Sequence, residues 1–202
     1  MTKIKLCGLS RPCDIEAANA LNPEYIGFVF SKKSKRYVSH EKAAELKMLL
    51  HRDIKAVGVF VNESLQNVAE LLKNGVIDIA QLHGGESEEY IKELRTVTDK
   101  PTIKAFRIET EKDVEKANAS CADYVLLDSG AGTGKVFDWT LIKSIERPYF
   151  LAGGLDIENV SEAIKELKPF AVDVSSGIET DGIKDKNKMA EFVAAVRKEN
   201  MI

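Results

Sequence analysis

The sequence is short of most features that would mark a specialised chain. It has 3 cysteines in 202 residues, Cys7, Cys13 and Cys121, with no Cys-x-x-Cys spacing. An odd, widely spaced set makes a disulfide framework or a zinc site improbable and suits a reducing, cytoplasmic setting. The 3 histidines, His40, His51 and His83, also lack metal-ligand spacing. Aromatic residues are 7% of the chain, with one tryptophan, Trp139. No sign of charge dominates: 29 Lys and Arg stand against 32 Asp and Glu, a net −3, and the two kinds are interspersed. A nucleic-acid protein would show a basic stripe and a membrane-anchored one a polybasic cluster, so neither partner is expected. No apolar run approaches the roughly 18–20 residues that span a bilayer. The opening Met-Thr-Lys-Ile-Lys has no apolar core or small-residue cleavage site, so no signal peptide is expected.

What the chain does have is rhythm. Its length and its 44% hydrophobic content suit one domain over residues 1–202. Short β-branched or apolar runs recur at 4–7, 25–30, 55–61, 77–82, 102–107, 124–128, 149–152 and 171–175. Their starts fall roughly 22 to 30 residues apart, with helical periodicity between them, which predicts eight strand–helix units. Helix signals sit in the expected places. Asn62 is a plausible N-cap for a stripe of Leu65, Val68, Ala69 and Leu72 ended by Gly75. Thr110 with Asp113 resembles a capping box, a seventh helix opens at Asp156 and stops before Pro169, and the last starts near Asp185.

Alternating strands and helices with short connections mean an α/β fold with a parallel sheet. Eight units in this length point to a closed (β/α)8 TIM barrel, with a doubly wound open sheet as the competitor. Lys5, Lys104 and Asp173 fall in mid-strand, which a barrel lumen accommodates better than an open sheet covered on both faces.

In such a barrel the active site stands at the C-terminal ends of the strands. Cys7 ends the first strand, with Lys5 two residues back on the same face. The cysteine alone reads as a small buried hydrophobe; as a base it needs a lowered pKa, which a nearby Lys5 would favour. Lys5 is alternatively paired with Asp173 on the neighbouring eighth strand. Asp128 ends the sixth strand as a candidate proton donor or a simple turn aspartate. Gly153-Gly154 and Ser175-Ser176-Gly177 end strands seven and eight, the common phosphate position of this fold. Arg36, in a basic loop, is a candidate for a substrate carboxylate, or a solvated residue. His83 reads as a structural rim histidine. The glycine-rich run at 130–135 fails as a P-loop, because Ser129 and Val136 stand where glycine and Ser or Thr are needed, and it suits a loop closing over the mouth.

These residues resemble the phosphoribosylanthranilate isomerase family along the whole chain. The resemblance rests on Lys-Leu-Cys-Gly at 5–8, Gly-Phe-Val-Phe at 27–30, Lys-Arg-Tyr-Val at 35–38, Val-Gly-Val-Phe-Val at 57–61 and Gln-Leu-His-Gly at 81–84. It continues in Leu-Leu-Asp-Ser at 126–129, Gly-Thr-Gly-Lys at 132–135, Leu-Ala-Gly-Gly-Leu at 151–155 and Val-Asp-Val-Ser-Ser-Gly-Ile-Glu at 172–179. Leu6 and Ile178 are mild apolar variants. The resemblance implies an Amadori rearrangement of N-(5-phosphoribosyl)anthranilate in tryptophan biosynthesis, with no cofactor and no metal, by a monomer or homodimer. It makes Asp128 the general acid, Cys7 the general base and Arg36 the carboxylate anchor. It puts Asp173 on the sugar, and Gly153, Gly154, Ser175, Ser176 and Gly177 on the phosphate. Another sugar-phosphate isomerase or epimerase on a barrel, or a non-catalytic phosphate-ligand sensor, remains as an alternative.

Overall fold

Alternate residues of a strand face opposite sides, and in this sheet both sides are apolar. A computed structural model describes residues 1–128 and 139–201. It contains β1 (Lys3–Cys7), β2 (Tyr25–Val29), β3 (Lys55–Phe60), β4 (Ile79–Leu82), β5 (Thr102–Arg107), β6 (Tyr124–Asp128), β7 (Tyr149–Ala152) and β8 (Ala171–Val174). All are parallel, and they close in chain order, β8 pairing back on β1 with Lys5 opposite Asp173. Helices α1 (Pro12–Leu21), α2 (His40–Leu49), α3 (Leu65–Lys73), α4 (Glu88–Val97), α5 (Glu111–Ala119), α6 (Val160–Leu167) and α7 (Lys186–Glu199) alternate with the strands. The expected closed barrel is therefore present. The eight-unit rhythm departs from expectation between β6 and β7, where the described residues form a single 3₁₀ turn, Leu141–Ser144.

Outward residues such as Ile4, Leu6, Ile26 and Phe28 join the helices in the main core. Inward residues Tyr25, Val57, Ile79, Ile103, Leu126, Phe150 and Ala171 make a second core inside the barrel. Phe150 sits among Tyr25 and Phe170, with ring centroids 5.4 and 5.6 Å away, and plugs the lower lumen. The filled lower lumen leaves the upper mouth as the place for polar groups.

Local signals explain most boundaries. The Asp113 carboxylate accepts the Thr110 N–H at 3.0 Å, as the capping-box pattern predicts. At α3 the N-cap is Ser64, whose hydroxyl accepts the Asn67 N–H, and not Asn62. Asn62 instead takes a left-handed backbone, φ 54, and its side-chain oxygen accepts the Gly85 N–H at 2.7 Å. It ties two mouth loops together.

Lys104 also differs from expectation. Ile103 takes the inward face of β5, so Lys104 points outward. There its ammonium donates to the Gly84 carbonyl at 2.7 Å and to Glu86 at 3.2 Å. Glu86 further accepts the Asn62 N–H at 2.6 Å and the Gly84 N–H at 2.9 Å. This buried pair braces the loops after β3 and β4. Glu86→Ala should lower the unfolding free energy by about 3–5 kcal/mol, because it strands a buried ammonium. Urea unfolding at unchanged m-value would read the loss, and adding Lys104→Met should recover part of it.

Candidate active site

A cavity of about 470 Å³ opens at the C-terminal ends of the strands, lined by Cys7, Arg36, His83, Asp128, Gly153, Gly154, Asp173, Ser175 and Ser176 among others. Of the residues to which the family resemblance gives a role, all but Gly177 belong to this lining. It packs instead on the chain after β7: a Cβ there would lie 2.1 Å from the Leu155 carbonyl oxygen. Gly177 is thus what lets the loops after β7 and β8 meet. Gly153 and Gly154 both have positive φ, 94 and 67, a pair of backbone shapes that side chains resist. The proposed closing loop at 130–135 lies outside the described residues.

The polar floor of the mouth is built on Lys5. Its side chain is fully buried, and the ammonium donates to Asp173 Oδ2 at 2.8 Å and to Gln81 Oε1 at 2.7 Å. The expected Lys5–Asp173 pair is there. Burial works against the lysine charge, yet Asp173 and then Cys7 outweigh it, and Lys5 holds its proton above the usual range. Asp173 keeps its other oxygen, Oδ1, buried beside the cavity and, among the described residues, without a hydrogen-bond partner.

A lysine can only donate, so the Gln81 oxygen must face Lys5 and its amide nitrogen must face His83 Nδ1, 3.0 Å away. Nδ1 is then the acceptor, and the neutral ring carries its proton on Nε2. That nitrogen lies 3.4 Å from Asp128 Oδ2. One chain of polar contacts therefore runs from Lys5, beneath Cys7, to Asp128 on the far side. His83 belongs to the cavity rather than to the rim.

Cys7 corrects an expectation. Burial pushes the thiol up; Lys5 pulls it down, Asp173 pushes it up again, and Lys184 pulls down, leaving the pKa raised. Lys5 does act in the predicted direction, but Asp173 opposes it and desolvation wins.

The comparisons with known proteins bear on the whole chain. The family model described as N-(5'phosphoribosyl)anthranilate (PRA) isomerase matches residues 4–195. The N-(5'-phosphoribosyl)anthranilate isomerase of Endomicrobium trichonymphae is 45% identical, covering 98% of this chain and 99% of its own. This chain belongs to the phosphoribosylanthranilate isomerase family. The crystal structure of the family member from Thermotoga maritima superposes with a TM-score of 0.90 at 35% identity, covering 98% of this chain and 100% of that one. A structure of phosphoribosyl anthranilate isomerase in complex with reduced 1-(o-carboxyphenylamino)-1-deoxyribulose 5-phosphate gives 0.88 at 35% identity over the same shares.

Within this family frame, three site residues escaped the sequence reading. Gln81 was hidden inside an apolar strand, although it shares the inward face with His83. Glu179 and Lys184 come from a hairpin, β9 (Glu179–Thr180) and β10 (Ile183–Lys184), where they stand directly opposite each other. Its turn residues Asp181 and Gly182 have φ 53 and 77, and an Asp-Gly pair between short strands is the available signal. Glu179 grips Arg36 in a two-point pair, Nε to Oε1 at 2.6 Å and Nη2 to Oε2 at 2.7 Å. Lys184 donates to Glu179 at 2.5 Å and to the Ser175 carbonyl at 2.8 Å. The Ser175 hydroxyl donates to the Cys7 carbonyl at 3.2 Å, so its single proton is committed and its backbone N–H is what it has for an anion. Among the described residues, no three His, Cys, Asp or Glu side chains are grouped to hold a metal ion.

The buried thiol makes a direct prediction. In a Cys13→Ser/Cys121→Ser background, the rate of Cys7 alkylation by iodoacetamide should rise with pH to a midpoint above the ordinary thiol value of about 8.5. A midpoint below about 7.5 would contradict the dominance of burial.

Proposed function

We infer that this chain catalyses the Amadori rearrangement of N-(5-phosphoribosyl)anthranilate to 1-(2-carboxyphenylamino)-1-deoxyribulose 5-phosphate, an isomerisation in tryptophan biosynthesis. The observation that carries the reading is the placing of Cys7 and Asp128 in one cavity, joined beneath by Lys5, Gln81 and His83, in a chain that matches the family over residues 4–195.

In this reading Asp128 gives its proton to the furanose ring oxygen, and the C1′–O bond breaks to leave an iminium on the anilino nitrogen. Cys7 as thiolate takes the C2′ proton, and the electron pair flows into the iminium to form an enolamine, which tautomerises to the ketone. The iminium is the electron sink. Each proton transfer of this kind contributes about 10²–10⁴ in rate. His83 is a positioning residue: its Nε2–H holds the Asp128 carboxylate that remains after donation. The unpartnered Asp173 Oδ1 suits a sugar hydroxyl. Gly153, Gly154, Ser175 and Ser176 offer the phosphate backbone N–H groups, with Gly177 setting the loops at the right separation. Arg36 takes the anthranilate carboxylate.

The chain works as one domain over residues 1–202, which the pairing of β1 with β8 supports. No helix among the described residues is long and apolar enough to cross a membrane. Its three cysteines are free, in keeping with a reducing cytoplasmic location, and its partner is a small phosphorylated substrate.

Loss of the substrate's fluorescence on adding protein tests the activity. Cys7→Ser and Asp128→Asn, measured separately, should each lower kcat by about 10²–10⁴ with a smaller change in KM. Unchanged turnover in either variant would remove that residue from its role, and no turnover in the parent would end the reading.

A further inference from the structure

The guanidinium of Arg36 is not an unattached cation at the mouth. Glu179 covers its Nε–Nη2 edge, and the five N–H donors of an arginine leave three after that pairing, all at the Nη1–Nη2 end. The stem is fixed as well. It lies across Gly8, where an added Cβ would fall 2.4 Å from Arg36 Cδ. Glu179 is itself held, since the buried ammonium of Lys184 donates to the same Oε1 that receives Arg36 Nε. Lys184 is tied in turn to Ser175. Two cations thus share one carboxylate, on a hairpin that is anchored to the barrel by Arg11, whose Nη2 donates to the Lys184 carbonyl at 2.7 Å.

We propose that Glu179, locked by Lys184, is the positioning residue that aims the free end of Arg36 into the cavity and so sets selectivity for an aryl carboxylate on the substrate. This rests on the assignment of Arg36 to that carboxylate. The carboxylate then binds end-on, through the Nη1–Nη2 edge, because the side-on edge is taken. Two opposing effects decide the sign of removing Glu179. Losing a negative charge would strengthen the attraction of the cluster for an anion, but at a partly solvated mouth such gains are small. Against it, Lys184 and Arg36 would face each other without the shared carboxylate, and the flexible arginine would have to be ordered by the ligand itself. Repulsion and lost aim outweigh the added charge.

The test uses two stable ligands made by reductive amination of ribose 5-phosphate, one with anthranilate and one with aniline, which differ by the single carboxylate. Calorimetric Kd values are compared for the parent, Glu179→Gln, Arg36→Met and the double variant. Glu179→Gln should weaken the carboxylated ligand by roughly tenfold and change the decarboxylated one by less than about threefold. Arg36→Met should show the same selectivity with a larger loss, and Glu179→Gln should add almost nothing to it. The decarboxylated ligand also reports whether the mouth is folded in each variant. Equal losses for both ligands would make Glu179 merely structural, and a gain for the carboxylated ligand would make it a competitor; either overturns the proposal. If Arg36→Met loses both ligands alike or neither, the carboxylate assignment itself falls. If Arg36→Met is selective and Glu179→Gln is silent, only the role of Glu179 falls.

Discussion

A single buried ammonium organises this molecule. Lys5 stands inside the lumen above the aromatic plug, and such a charge is tolerable only with an ionic partner and full hydrogen bonding. Asp173 supplies the charge and Gln81 the second acceptor. Everything above is then oriented by donor and acceptor logic: the Gln81 amide has one permitted orientation, His83 one neutral tautomer, and Asp128 a ring nitrogen 3.4 Å away. The groups assigned as acid and base are connected by the same charge.

That arrangement leaves Cys7 in a balance between opposed demands. A desolvated thiol is a strong base once ionised but is seldom ionised at rest, and here burial is the larger influence. The proposed chemistry offers a way out, because ring opening creates a cation on the substrate inside the same mouth. A positive charge arriving there favours the thiolate at the step that uses it. The resting protein meanwhile keeps its thiol neutral and shielded.

Much of this was legible in the sequence, and the failures share a cause. Strands showed themselves because the barrel is apolar on both faces, and Cys7 and Asp128 because they end strands one and six. The Lys5–Asp173 pair followed from ring closure. Lys104 was misjudged as a lumen residue because strand position does not reveal parity until the inward face is known. Asn62 looked like a cap since its preference for caps and for left-handed backbone is the same chemistry used two ways. Glu179 and Lys184 were missed because the hairpin is too short to show periodicity, and because Arg36 meets Glu179 across 143 positions of chain.

The pairing of the first strand with the eighth has a consequence in time. Lys5 emerges at the start of synthesis, while its counter-ion lies 168 residues later and the hairpin beyond that. Until β8 docks, a closed lumen would hold an uncompensated charge, so the early strands gain little from closing without it. Docking of the last quarter thus completes the ring, neutralises its interior and surrounds Cys7 in a single event. A partly assembled barrel is accordingly open and wet, and the mouth around Cys7 exists only in the finished fold.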